Sequence, residues 1–208
     1  MIVDNFKQVS KHLVFDSEEN PDWFYHVQII ARRKDGEFTE RNCKVIRSFY
    51  IRNLQYYDEH IEVIKQFCRF FHARAYIKLN PSSWKKCALM AFKELADCVC
   101  KEEYWGIRSL VDSMAGKYNA DGSQTKWVID IDTKDKGVLL DAVNIADSCA
   151  PEGHKIVDCL PTKNGYHLLS RPFNVKQFNE TWAATSQEDV PDISKNSPTL
   201  LYYEDGTE

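Results

Sequence analysis

The chain has 208 residues and a mass of 24.2 kDa, and its 43% hydrophobic content is enough for a sizeable core, which excludes a disordered polymer. A net charge of -4 excludes a surface uniformly coated for polyanions. No run approaches the roughly 18 consecutive apolar residues of a transmembrane helix, and the charged, aromatic N-terminus lacks the apolar core of a secretory signal, so a soluble cytoplasmic protein with no membrane partner is expected.

The charge is uneven. Residues 1 to 100 carry 16 Lys+Arg against 13 Asp+Glu, and residues 101 to 208 carry 11 against 18. A basic half beside an acidic half is compatible with a polyanion surface next to a carboxylate-lined metal site. The seven cysteines are irregularly spaced in a chain too large to need disulfide staples, and they read as reduced thiols. Cys68 with His72, or Cys98 with Cys100, could be offered as zinc ligands. Neither pair has a partner at finger-like spacing, so no structural zinc is expected.

In chain order, "WFYHVQIIARR" (23 to 33) and "KVIRSFYIRN" (44 to 53) are aromatic and β-branched, with Asp35-Gly36 between them as a turn signal, and predict a long hairpin. Ile61, Ile64, Phe67, Cys68 and Phe71 recur at helical spacing over residues 58 to 73, with Asp58 placed as the cap. A short strand follows over 74 to 80. Asn80-Pro81 marks the start of a helix running to about Cys100, and a further helical stretch covers 106 to 118.

"NADGSQT" (119 to 125) is rich in turn formers and forms the clearest internal seam, so residues 1-122 are taken as an N-terminal α/β unit and 123-208 as a second unit of one composite domain. The second unit opens on "KWVIDID" (126 to 132). In a strand, Trp127, Ile129 and Ile131 share one face while Val128, Asp130 and Asp132 share the other, and two residues of rise hold the acids roughly 6 to 7 Å apart. Carboxylates that close repel each other unless a cation compensates, which points to a hard metal ion. A helix over 136 to 149, "KIVDCL", the turn "PTKNG", "YHLLSRP" and a helix over 174 to 184 follow, the last with Asn174 and Gln177 as a capping box. Strand-like pieces, "VPDIS" and "TLLYY", end the chain. The order β-α-β-β-α-β is that of a split βαβ fold, so the fold class is α+β, with the N-terminal α/β unit packed on an RRM-like four-stranded antiparallel sheet.

By analogy with that fold, the first and third strands are neighbours. Asp130 and Asp132 then lie beside His167, Leu169 and Arg171, which share a strand face. A histidine and an arginine next to two acids suit a metal-bound triphosphate. The turn adds Lys163, Asn164 and Gly165, the glycine allowing positive φ and close approach of backbone N-H groups to phosphate. Asp192 offers a third acid. In the first half, Arg74, Tyr76 and Lys78 share a strand face, and Arg47 and Arg52 border aromatics. These four basic residues are candidate contacts for a single strand.

These motifs resemble the archaeo-eukaryotic primase superfamily, in its compact plasmid and phage form: D-x-D on an apolar strand ("VIDID"), a small polar residue and a glycine before a histidine ("TKNGYH"), and a later apolar-flanked acid ("PDIS"). "ISKNSPTLLYY" also resembles the segment after that family's third motif. Threonine stands where the second motif usually has serine. The resemblance implies that Asp130, Asp132 and Asp192 bind two Mg2+ or Mn2+ ions, and that His167, assisted by Lys163 and Arg171, contacts the phosphates of an incoming dNTP or NTP. It further implies template-directed nucleotidyl transfer on single-stranded DNA, with a separately encoded replicative helicase as a candidate partner. The alternatives are an inactive RRM-like module that binds single strands, and another D-x-D enzyme such as a glycosyltransferase or a nuclease.

Overall fold

The computed structural model describes residues 1-19, 21-32, 43-186 and 188-205. It is mixed α+β, with two antiparallel sheets and six helices. The expected Asp35-Gly36 turn lies outside the described residues.

The larger sheet is built from β1 (Ile2-Asp4), β2 (Trp23-Arg32), β3 (Cys43-Ile51), β4 (Arg74-Ile77), β5 (Ser82-Ser83) and β10 (Thr199-Glu204), in the order β1-β10-β4-β2-β3 with β5 also beside β2. The smaller sheet holds β6 (Trp127-Ile131), β7 (Ile156-Pro161), β8 (Tyr166-Ser170) and β9 (Asp192-Ser194), in the order β7-β8-β6-β9, with every pairing antiparallel. β6 and β8 are therefore neighbours. "TLLYY" does not extend the smaller sheet. It forms β10, inserted between β1 and β4, so the larger sheet contains the last strand of the chain as well as the first.

Helix α1 spans Phe6-Ser10; neither it nor β1 carries a periodic signal long enough to read in the sequence. α2 (Leu54-Phe70) buries Tyr57, Ile64 and Cys68 against the odd-numbered residues of β2 (Tyr25, Val27, Ile29, Ala31), as its apolar spacing predicts. Its cap is Asn53, whose side chain accepts from the Tyr56 amide at 2.7 Å, and not Asp58, which sits a full turn inside. α3 (Trp84-Lys101) starts after the expected Pro81, because Ser82 and Ser83 first pair with β2 and the Ser83 side chain then caps the helix. α4 (Leu110-Lys117) follows a short 3-10 turn.

α5 (Lys136-Ser148) and α6 (Val175-Thr185) cover one face of the smaller sheet, where Ile129, Ile131 and Leu168 pack with Ile145, Phe178 and Trp182. Asn174 caps α6 by accepting from the Gln177 amide at 3.2 Å. Gln177 does not reach back to complete a box; its Oε1 accepts from the Ala150 amide.

The opposite face of the smaller sheet joins the larger core. Val128, Leu160 and Leu169 pack in the same cluster as α1, α2 and the α2-facing residues of the larger sheet. Two buried asparagines stitch this junction. Asn5 Nδ2 donates to the Pro161 and Leu200 carbonyls, and Asn80 accepts from the Lys126 amide at 2.7 Å while donating to the Lys126 and Lys195 carbonyls. Unpaired buried amides are costly, so these bonds fix one arrangement of the two sheets. Among the described residues, no helix is long and apolar enough to cross a membrane.

Candidate active site

The alternation along β6 turns Ile129 and Ile131 into the helix-covered core and leaves Asp130 and Asp132 on the other face. Register then assembles the rest. Asp130 pairs directly with His167 of β8 on one side and with Asp192 of β9 on the other. Directly opposed residues of an antiparallel pair point to the same face with Cβ atoms roughly 4.5 to 5.5 Å apart. Asp192, Asp130 and His167 thus form one row across three strands, with Asp132 two residues along from the middle member.

Two acids so placed repel each other, and His167 flanks Asp130 on the side away from Asp192. Its Nε2 lies 3.3 Å from Asp130 Oδ1, and its Nδ1 lies 2.8 Å from the Thr199 hydroxyl. With Asp130 ionised, a neutral imidazole carries its proton on Nε2 and accepts from Thr199 at Nδ1. The imidazole is 12% exposed while the Asp130 side chain is 41% exposed, so the ring is held and the carboxylate is open to solvent. Thr199 belongs to β10, which makes this contact a third stitch between the sheets.

The Asp130-His167 end of the row opens onto a cleft of about 430 Å³ between the two sheets. Asp130, Asp132 and His167 form one wall, and Arg32, Arg74 and Tyr76 of the larger sheet form the facing one, with Thr162 to Asn164 at the rim. Arg74 and Lys163 each place their charge 4.7 Å from the ring of buried Tyr203, which draws the two cations to the same end of the cleft. Arg32 lies over Tyr76 at 5.8 Å. Three cations therefore line a cavity whose other wall holds acids. A second cavity of about 360 Å³ lies on the other side of the same acids, where Asp130, Asp132 and Asp192 are joined by Glu188 and Asp189.

The turn that carries Lys163 is closed by the Thr162 amide donating to the Gly165 carbonyl at 2.9 Å and the Gly165 amide donating to Thr162 Oγ1 at 3.0 Å. Gly165 is buried and has no positive φ, and its N-H is already engaged, which corrects the expected role as a phosphate donor. Its requirement is steric. A Cβ there would lie 1.8 Å from the Ile131 carbonyl oxygen and 2.7 Å from the Thr133 backbone, so only glycine lets the turn seat on the end of the D-x-D strand.

Other expected residues lie elsewhere. Lys78 is 3% exposed, and its amine donates to Ser82 Oγ, the Ala115 carbonyl and the Tyr118 carbonyl at 2.9, 2.7 and 3.0 Å. Burial pushes that amine down to about 8, and its three donors are spent, two on the C-terminal end of α4 and one on Ser82, so it has none for a nucleic acid. Arg171 shares strand parity with His167 but follows Ser170, which pairs with Trp127 at the start of β6; four residues of rise put it about 13 Å from His167. Arg47 lies over Phe49 and Phe67, and Arg52 over Tyr56, all outside the cleft. Asn164 is exposed at the rim.

Arg32 and Thr199 are cleft and site residues that sequence reasoning missed. The strand parity of Arg32 was available, but nothing in the sequence said that this position lines a cleft.

The carboxylates offer hard oxygen donors of the kind that Mg2+ and Mn2+ take, and Asp130 and Asp132 face both cavities, so the residues fit such an ion in kind. Among the described residues no three His, Cys, Asp or Glu side chains already converge as a closed cage. Comparison of the chain with protein-family models, with curated proteins and with solved structures found no match.

Proposed function

We propose that this chain is a metal-dependent, template-directed nucleotidyltransferase of the primase-polymerase kind, built on a split βαβ, RRM-like sheet packed against an N-terminal α/β unit. The observation that carries the reading is that Asp130, Asp132 and His167 face a cleft whose opposite wall is cationic, while Asp192, paired with Asp130, lines the cavity behind them. Two acids, a restrained imidazole and a set of basic side chains across about 430 Å³ suit a nucleoside triphosphate better than an uncharged ligand.

In this reading Asp130, Asp132 and Asp192 hold Mg2+ or Mn2+, which when bound lowers the pKa of an attacking hydroxyl and neutralises the leaving pyrophosphate. His167 donates to a phosphate oxygen from Nε2, the nitrogen now turned to Asp130, while Thr199 keeps the ring oriented. Lys163, Arg74 and Arg32 neutralise the remaining phosphate charge. A template-bound 3'-hydroxyl attacks the α-phosphate of a dNTP or NTP, a new phosphodiester forms, and pyrophosphate leaves. Single-stranded DNA is the template, the cytoplasm the compartment, and a separately encoded helicase a fitting partner.

The test is incorporation of labelled nucleotides on single-stranded DNA, with and without a primer, in magnesium and in manganese, for the wild type and for Asp130→Ala/Asp132→Ala. Products that vanish in the double variant support the reading. No product in any lane, from protein that still binds single strands, would replace it with a binding module.

A further inference from the structure

Helix α3 is apolar on two sides, and among the described residues only one of them is covered. In this 18-residue helix Cys87 alone is fully buried; with Met90 and Ala91 it faces the cluster formed with Phe24, Leu110 and Met114. The solvent side is the unusual one. Leu89 is 67% exposed, Phe92 73% and Val99 55%, with Leu95 at 38%. At about 100° per residue, these four side chains fall with Ala88, Ala96 and Cys100 inside one arc of roughly 140°, and Lys85 is the only charged residue in that arc. Contiguous exposed apolar stripes of this kind mark contact surfaces.

We propose that the stripe is covered by a second copy of this chain, with the two α3 helices packed antiparallel about a two-fold axis at the level of Glu94. The charge distribution selects this occupant. Lys85 stands in the stripe at the N-terminal end of α3, whereas Glu102 and Glu103 follow its C-terminal end. Lys86 is already tied to Asp121 at 2.7 Å. An antiparallel copy brings the Lys85 of each protomer to the acidic pair of the other, at both ends at once. A parallel copy would set like charges against each other at both ends.

The register that satisfies the charges also satisfies the shapes. With residue i opposite 188 minus i, Lys85 comes to the end of the facing helix where Glu102 and Glu103 follow, Leu89 meets Val99, and the large Phe92 meets the small Ala96. A two-fold interface must be self-complementary in this way. The apolar stripe supplies the affinity, because surface ion pairs contribute little, while the charged ends set the direction of pairing. The dimer is independent of the reaction proposed above.

Sedimentation equilibrium decides the matter, on the full chain up to roughly 0.1 mM, where a micromolar dimer is almost fully formed. The wild type is expected to be dimeric. Phe92→Glu, at an exposed position that leaves the core untouched, is expected to weaken the dimer at least about a hundredfold. Lys85→Glu and the double variant Glu102→Lys/Glu103→Lys are each expected to weaken it about tenfold, and mixing the two variants one to one should restore wild-type affinity in the heterodimer. A monomeric wild type, a dimer indifferent to Phe92→Glu, or a mixture no tighter than its components would overturn the proposal.

Discussion

The imidazole of His167 is clamped between the two sheets, with Nε2 3.3 Å from Asp130 Oδ1 and Nδ1 2.8 Å from the hydroxyl of Thr199. Thr199→Val keeps the side-chain volume and removes the Nδ1 partner. A hydrogen bond of this kind contributes about 1 kcal/mol, so the nucleotide KM is expected to rise about fivefold to tenfold with a smaller change in kcat. Steady-state kinetics on a primed template check this. An unchanged KM would show that the ring needs no such anchor.

Asp130 faces Asp192 across one strand pair and lines both cavities. Asp130→Ala should lower nucleotide incorporation at least about a thousandfold, since it removes several kcal/mol of charge stabilisation from the transition state. Thermal stability should hold or rise, because the variant relieves repulsion between opposed acids. Residual synthesis near the wild-type level, in protein free of contaminating polymerase, would remove Asp130 from the site.

Gly165 seats the 162 to 165 turn on the end of the D-x-D strand, with no room for a methyl group. Gly165→Ala must push the turn away from the Ile131 carbonyl. The expected cost is about 2 kcal/mol or more, read as a lower denaturation midpoint, together with loss of activity at temperatures where the protein is still folded. If stability were lost while the specific activity of the folded fraction stayed intact, Gly165 would be a packing residue only.

Arg74 was expected to contact a single strand and Arg171 the phosphates of a nucleotide, yet Arg74 lines the cleft and Arg171 does not. Arg74→Ala should raise the nucleotide KM about tenfold, the scale of one charge-assisted contact, while Arg171→Ala should leave it within about twofold. The reverse ranking would mean that the nucleotide binds outside the cleft lined by Arg74.

The two residues also show what the sequence could and could not convey. Alternation gave the D-x-D face of β6, the buried stripe of α2 and the helix-covered face of the smaller sheet, because periodicity is a local property. The pairing of Asp130 with both His167 and Asp192 depends on strand order, which only the folded chain sets. Parity likewise placed Arg74, Tyr76 and Lys78 on one face correctly, yet one end of that face opens onto the cleft while the other is roofed by α4. Lys78 was misread for that reason. "TLLYY" has the composition of a buried strand in either sheet, and no local feature says which sheet takes it.

Asp112 provides a pH test away from the cleft. His26 Nε2 lies 3.3 Å from its Oδ1 without full hydrogen-bond alignment, and the Tyr50 hydroxyl donates to the same oxygen at 2.5 Å. The imidazole chiefly, then the phenol, holds the carboxyl down to about 2 from 3.8 against the opposing effect of burial. A depressed folded pKa means that the unfolded chain takes up the proton first. The contribution is therefore complete above about 4 and is lost as pH falls through about 2. Asp112→Asn should flatten the acid limb of the stability curve in that window, measured by urea midpoints. A variant as acid-sensitive as the wild type would assign the limb to other groups.

The insertion of β10 between β1 and β4 has a kinetic consequence. Ile2 pairs with Glu204, and the Asp205 amide donates to the Met1 carbonyl, so the larger sheet closes only through contacts spanning nearly the whole chain. Pairings of such sequence separation form late, because the intervening chain must lose its freedom first. The same strand carries Thr199. The acids of β6 and the imidazole of β8 are brought together within the smaller sheet alone, whereas the anchor of the histidine ring depends on the long-range closure of the larger one.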